Sequence, residues 1–185
     1  MPDPAGWDAV RLDGAGFVLR RWRTGDLDAL LRHADDPAIV RGLSDRFPHP
    51  YTRVDGEAFL AGDVVDLAQP VLAIEIDGAA CGGIGVRHVA SGERAHSAEL
   101  GYWLGRAYWN RGVMRSVVAR YVPWVMGTLS LIRLQANVLD INPASARVLQ
   151  VNGFSEEGLL RRAIRKPDGL HDLRVFARLR DATDN

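Results

Sequence analysis

Between Val71 and Leu104 the chain reads as three consecutive strands, and this stretch limits the fold more than any other. Val71 to Ile76 meets Asp77-Gly78, a two-residue hairpin turn whose central positions both need positive φ. The return strand is predicted from Ala80 to Val89. Ser91-Gly92-Glu93 then turns the chain, and His96 to Leu104 completes a meander. After Leu104 the period of the pattern changes. Met114, Val117, Val118, Tyr121, Val125 and Leu129 recur at helical spacing, and Pro123 is expected to kink or break that helix.

The remaining elements attach to this centre. Phe17 to Trp22 reads as a strand, Thr24 as a helix start, and Pro37 to Pro50 as short helices and loop. Thr52 is placed to cap a helix running to about Leu67, with Phe59, Leu60 and Val64 on its buried side. Arg133 to Val138 is predicted as a strand. Asn142 caps a short helix from Pro143 to Asn152, and Gly153 ends it. Two last strands, Leu159 to Arg165 and Leu170 to Leu179, turn at Pro167-Asp168-Gly169. This order describes an α/β (α+β) sheet and not the regular alternation of a doubly wound fold.

With no linker-like stretch or repeat, residues 1–185 read as a single domain. No apolar run reaches the ~18 residues that cross a bilayer, and no secretion signal opens the chain, so the expected compartment is the cytoplasm. The single cysteine, Cys81, excludes an intramolecular disulfide and reads as a small buried hydrophobe. His33, His49, His88, His96 and His171 show no ligand spacing with it, so no metal site is expected. A net charge of zero argues against nucleic-acid or membrane partners. Between Glu99 and Asp140, however, there is no acid, while Arg106, Arg111, Arg115, Arg120 and Arg133 all fall there. Such a segment suits an anionic ligand, or arginines whose acids come from elsewhere in the fold.

The stretch from Glu99 to Ser116 concentrates the chemistry. A strand enters a short loop containing Gly112, and a helix starts there. Unpaired amides at a helix N-terminus, with Arg111 and Arg115 beside them, suit phosphate oxygens. Gly82-Gly83-Ile84-Gly85 leads into a hairpin strand instead of a helix, so it reads as crowded backbone or a bulge and not as a dinucleotide loop.

Three blocks carry a resemblance: Ala98-Glu-Leu-Gly-Tyr-Trp-Leu, Tyr108-Trp-Asn-Arg-Gly-Val-Met, and Asn142-Pro-Ala-Ser-Ala-Arg-Val-Leu-Gln-Val-Asn-Gly-Phe154. Together they resemble the RimJ/RimL branch of the GNAT N-acetyltransferases, over roughly residues 10 to 180. The resemblance implies a mixed sheet of about seven strands, splayed between its fourth and fifth and flanked by about four helices. It implies acetyl-CoA as acyl donor, with no metal. The backbone of Trp103 and Leu104 would pair with the pantetheine arm. The amides of Asn110, Arg111, Gly112, Val113, Met114 and Arg115 would hold the pyrophosphate, with Trp109 leading that loop. Asn142 would hydrogen-bond the pantetheine, and Ser145 would lie near the sulfur. Glu99 would face the acceptor amine as general base, working through water. Many relatives protonate the departing thiolate with a tyrosine where this chain has Leu149, which makes Ser145 the substitute donor. The acceptor it implies is a primary amine, with a protein N-terminal α-amine favoured by the branch. A small-molecule amine and a non-catalytic acyl-CoA-binding module are the alternatives. Specificity is expected in Pro37 to Pro70 and Arg165 to His171. A homodimer is the association state frequent among relatives.

Overall fold

The computed structural model describes residues 9–44 and 47–180. Among these, eight strands form one sheet in the order β1-β2-β3-β4-β5-β6-β8-β7. The strands are β1 (Arg11–Gly14), β2 (Phe17–Arg21), β3 (Leu72–Ile76), β4 (Ala79–His88), β5 (Ser97–Leu104), β6 (Arg133–Leu139), β7 (Ser155–Lys166) and β8 (Gly169–Leu179). The helices are α1 (Leu27–Ala34), α2 (Pro37–Arg41), α3 (Arg53–Ala61), α4 (Val113–Thr128) and α5 (Pro143–Val151). The mixed α/β class expected from the sequence is what forms. The Asp77-Gly78 turn has φ of 50° and 80°, as its hairpin geometry requires.

The junction of β5 and β6 opens the sheet. These strands are joined by α4 and run parallel, as a helical crossover demands. They pair at only three positions, Ser97 with Arg133, Ala98 with Leu134 and Glu99 with Gln135. Yet β5 continues to Leu104 and β6 to Leu139. The two strands therefore splay apart past Glu99.

Two apolar layers cover the two faces. Ala98, Leu100 and Leu104 of β5 pack with Val117, Tyr121 and Val125 of α4 and Leu149 of α5. On the other face Trp22, Leu30, Tyr51 and Ala73 form a second cluster, with Phe59, Leu60 and Trp103 against it. Alternation along β5 thus sends Glu99, Gly101 and Trp103 to one side and Leu100, Tyr102 and Leu104 to the other.

Several expectations need correction. The sheet gains β1, whose four residues bury only Leu12 and so carry no alternating signal. The helix after Thr52 stops at Ala61, where Gly62 takes the cap, and Val64 stands 63% exposed instead of buried. Pro123 does not break α4. It lies on the exposed side, so the carbonyl of Ala119 that it leaves unpaired faces water. The last hairpin is longer than predicted, because β7 begins at Ser155.

A buried charge group ties the first strands together. Arg20, 4% exposed, donates twice to Asp26, at 2.7 and 2.8 Å, and once to Glu75 on β3. Asp26 also accepts from the Arg23 backbone at 2.8 Å, which fixes the turn leading into α1. The Arg20 guanidinium titrates above its ordinary value because Asp26 hydrogen-bonds its charged form.

Candidate active site

Glu99 sits at the last paired position before the splay. Its carboxylate is bound by Arg87 across the β4–β5 pair and accepts from Asn137 Nδ2 of β6 at 3.2 Å. The amides continue outward, with Gln135 Nε2 donating to Asn137 at 3.4 Å and Arg133 to Gln135 at 3.2 Å. Arg133 also binds Glu157 of β7, at 2.9 Å through Nη1 and 2.5 Å through Nη2. A chain of donors therefore runs along one sheet face and ends on Glu99. A carboxylate has about four lone-pair sites, so these two partners leave room for a water.

Across the splay, Tyr102 reaches from β5 to the first turn of α5. Its Oη lies 2.8 Å from Ser145 Oγ and 3.3 Å from Ser145 O. Burial raises the phenol to about 12, so it stays protonated at neutral pH. Either hydroxyl can donate across the shorter contact, and in the arrangement where Tyr102 donates to Ser145 Oγ the serine hydrogen is free to point into the gap. Sequence reasoning singled out Ser145 and passed over Tyr102. The usable signal was parity: an odd step from Glu99 puts Tyr102 on the side of α5. Asn142 caps α5, its Oδ1 accepting from Ser145 N at 3.1 Å.

The loop into α4 has the makings of an anion cradle. Asn110 and Gly112 have φ of 58° and 75°, and no side chain caps α4. Alternate left-handed residues before a helix turn successive amides toward one point. A Cβ at Gly112 would meet nothing within 4 Å, so the space in front of it is open. Trp109 donates its indole N–H to Leu104 O at 2.7 Å, holding the loop against the end of β5. The arginines divide. Arg133 pairs with Glu157, Arg106 lies 3.9 Å from Asp36, and Arg120 donates to Asp13 O at 3.3 Å. Among the described residues Arg111 and Arg115 have no carboxylate partner, and Arg111 stands over the Tyr108 ring at 6.0 Å. The two arginines beside the cradle are the ones left for a ligand.

On the Glu99 face lies a cavity of about 690 Å³, walled by Trp22, Phe47, Tyr51, Phe59 and Trp103. The two segments expected to set specificity meet at its edge, where Lys166 Nζ donates to Leu43 O at 2.6 Å and Arg41 lies 3.8 Å from Asp168. His171 anchors the same corner, with Nε2 2.9 Å from Asp168 and Nδ1 3.2 Å from Asp140. Donating a hydrogen bond to Asp168 raises the imidazole above 6.5, and His171 in turn lowers Asp168 below 3.8. The histidine's contribution to stability is thus complete below pH 6.5 and is lost as pH rises through its raised value. The aspartate's contribution is present above pH 3.8 and fades as pH falls through its lowered one. An NMR titration should give His171 a midpoint above 6.5, and Asp168→Asn should bring it back down. A midpoint at or below 6.5 in the unaltered chain would remove the clamp.

Cys81 takes no part in either region. Its buried thiol lies 3.3 Å from Ile74 O, and desolvation pushes it to about 12. Gly83 and Gly85 are crowded, as read from the sequence. A Cβ at Gly83 would come 2.9 Å from the Trp103 indole nitrogen, and one at Gly85 2.9 Å from Val71.

The chain is similar to known proteins in sequence and in fold. A family profile described as "Acetyltransferase (GNAT) domain" matches residues 17–155. The N-acetyltransferase p20 of Bacillus licheniformis, itself uncharacterized, is 26% identical over 171 residues, covering 89% of this chain and 93% of its own. RimL, a ribosomal L7/L12 α-N-protein acetyltransferase solved with coenzyme A, superposes with a TM-score of 0.80 at 19% identity. That match covers 94% of this chain and 99% of RimL. Mycobacterium smegmatis RimJ, solved with a CoA disulfide, gives 0.78 at 23% identity, covering 97% of this chain and 91% of its own. At these identities the two structures speak for the fold. The profile spans most of the sequence, and with it the chain is placed as a member of the GNAT family of acetyltransferases.

Proposed function

We propose that this chain transfers acetyl from acetyl-CoA to a primary amine, with Glu99 as base and Ser145, positioned by Tyr102, as donor to the departing sulfur. The observation that carries the reading is the three-pair junction of β5 and β6. Past Glu99 one edge of β5 has no strand beside it, so an extended arm would run along Trp103 and Leu104. It would meet the Leu104 side of the backbone, since Trp103 is paired with Gly83 and Leu104 O already accepts from Trp109. The amides from Asn110 to Arg115, with Arg111 and Arg115, would hold the pyrophosphate, and Trp109 would fix their loop. Asn142 would reach the pantetheine with the amide nitrogen that its cap leaves over.

Acetyl-CoA supplies an acyl group already activated as a thioester. The residues then manage protons. Glu99 accepts one from the amine through a water as the N–C bond forms. Ser145 gives its hydroxyl hydrogen to sulfur as the C–S bond breaks, and Tyr102 refills it. Solvent takes the proton from Glu99 and restores the tyrosine, so a neutral amine and a thioester end as an amide and a thiol.

The test is thiol release from acetyl-CoA with a panel of amines, wild type beside Tyr102→Phe. Amine-dependent release is expected from the wild type. The variant should lose roughly tenfold or more in kcat while its KM for acetyl-CoA stays within about twofold. Equal turnover would reduce Tyr102 to a packing residue. Coenzyme A binding without release for any amine would overturn the catalytic reading.

A further inference from the structure

Resting on the amine-acetyltransferase reading, the cavity beside Glu99 identifies the acceptor more closely. We infer that it takes a primary amine carried on an apolar, ring-bearing body, an arylalkylamine, and not a polyamine, an amino acid or a peptide main chain.

The walls give the first argument. Trp22 and Trp103 stack at 6.5 Å and 14°, Phe59 meets Trp22 edge-on at 5.1 Å, and Phe47 meets Trp103 at 5.5 Å. Rings so placed offer flat apolar surface to another ring. An extended charged chain lying there would lose hydration along its length without recovering it. The Trp22 indole nitrogen adds to this wall a buried donor with no partner among the described residues.

The floor gives the second. On this face of the sheet Gly83 stands opposite Trp103 and Gly85 opposite Gly101. A Cβ at Gly101 would meet nothing within 4 Å, so an open seat lies there. Gly101 is two residues from Glu99 on the same face, about 7 Å along the strand. A ring seated over Gly101 therefore reaches the base with an amine on a tether of two or three atoms.

Charge and hydrogen bonding complete the case. The charged residues lining the cavity are Asp55, Asp66 and Glu99 against Arg87, and Arg87 is already bound to Glu99. This balance favours an ammonium and disfavours a carboxylate on the same molecule. Three of the polar lining side chains are engaged locally. Asp55 accepts from Thr52 N at 2.8 Å, Asp66 from Ala68 N at 2.9 Å, and Gln69 from His88 N at 2.8 Å. Few groups remain to read a peptide backbone.

The experiment compares 2-phenylethylamine, spermidine, alanine and an N-terminal peptide as acceptors in the thiol-release assay, wild type beside Gly101→Leu. Phenylethylamine should exceed the others in kcat/KM by about 10²-fold. Gly101→Leu should raise its KM at least about tenfold while the KM for acetyl-CoA stays unchanged. If Gly101→Leu does not fold, Gly101→Ala adds one methyl into open space and should shift KM the same way by less. A peptide, alanine or spermidine as best acceptor, or an unchanged KM in a folded Gly101 variant, overturns the assignment. Quenching of tryptophan fluorescence by phenylethylamine separates the two readings. Saturable quenching that Gly101→Leu weakens, without thiol release, keeps the ring seat and sinks only catalysis. Absence of quenching together with absence of turnover sinks the ring seat itself.

Discussion

Glu99→Gln is expected to lower kcat/KM for the amine by about 10² to 10⁴-fold, the range general-base catalysis supplies. Coenzyme A binding, measured by calorimetry, should remain within about twofold. The change preserves shape, and the glutamine oxygen still accepts from Asn137. What goes is the negative charge and the basic lone pair. The broken partner is Arg87, whose side chain is 61% exposed, so the lost pair costs at most about 1 kcal/mol of stability. Activity and stability thus separate cleanly at this position. Turnover equal to wild type would take Glu99 out of the mechanism and leave deprotonation to solvent.

The largest loss of stability should follow Arg20→Leu. The substitution strands Asp26 and Glu75, whose side chains are 9% and 18% exposed, with no compensating charge. Breaking a buried pair in this way costs about 3–5 kcal/mol. For a chain of this size that is a fall in Tm of roughly 6–20 °C. Replacing all three by apolar residues of similar volume should recover most of it, because no buried charge is then left alone. Urea unfolding of the single and triple variants reads both effects. A single variant within about 1 kcal/mol of wild type would show that water reaches the two carboxylates freely.

These two sites were not equally legible. Glu99 lies on a strand whose alternation and following loop can be read locally, and the blocks around it resemble a known family. The strand, the loop at Gly112 and the amphipathic α4 came from the same local patterns. The Arg20 group joins residues 55 positions apart, and a pair of arginines ending a short strand gives no local hint of burial. The same holds for Tyr102, whose partner is 43 residues away. Val64 went wrong for another reason: Gly62 ends the helix two residues earlier, and a periodic apolar residue beyond a cap no longer has a face to belong to. At Pro123 the local rule was sound, but the proline falls on the wet side of α4, where its cost is small. Local pattern located the centre of the molecule, while contacts made only on folding decided which polar groups are held inside it.

One strand, β5, aims Glu99 toward α1 and α3 and Tyr102 toward α4 and α5. On the proposed reading, acceptor and donor would thereby have separate doorways on opposite sides of a single layer. Neither has to leave before the other arrives, and direct handover between them needs no stop on the protein. On that reading the chain would need no covalent acyl carrier, in keeping with its one thiol being sealed against Ile74.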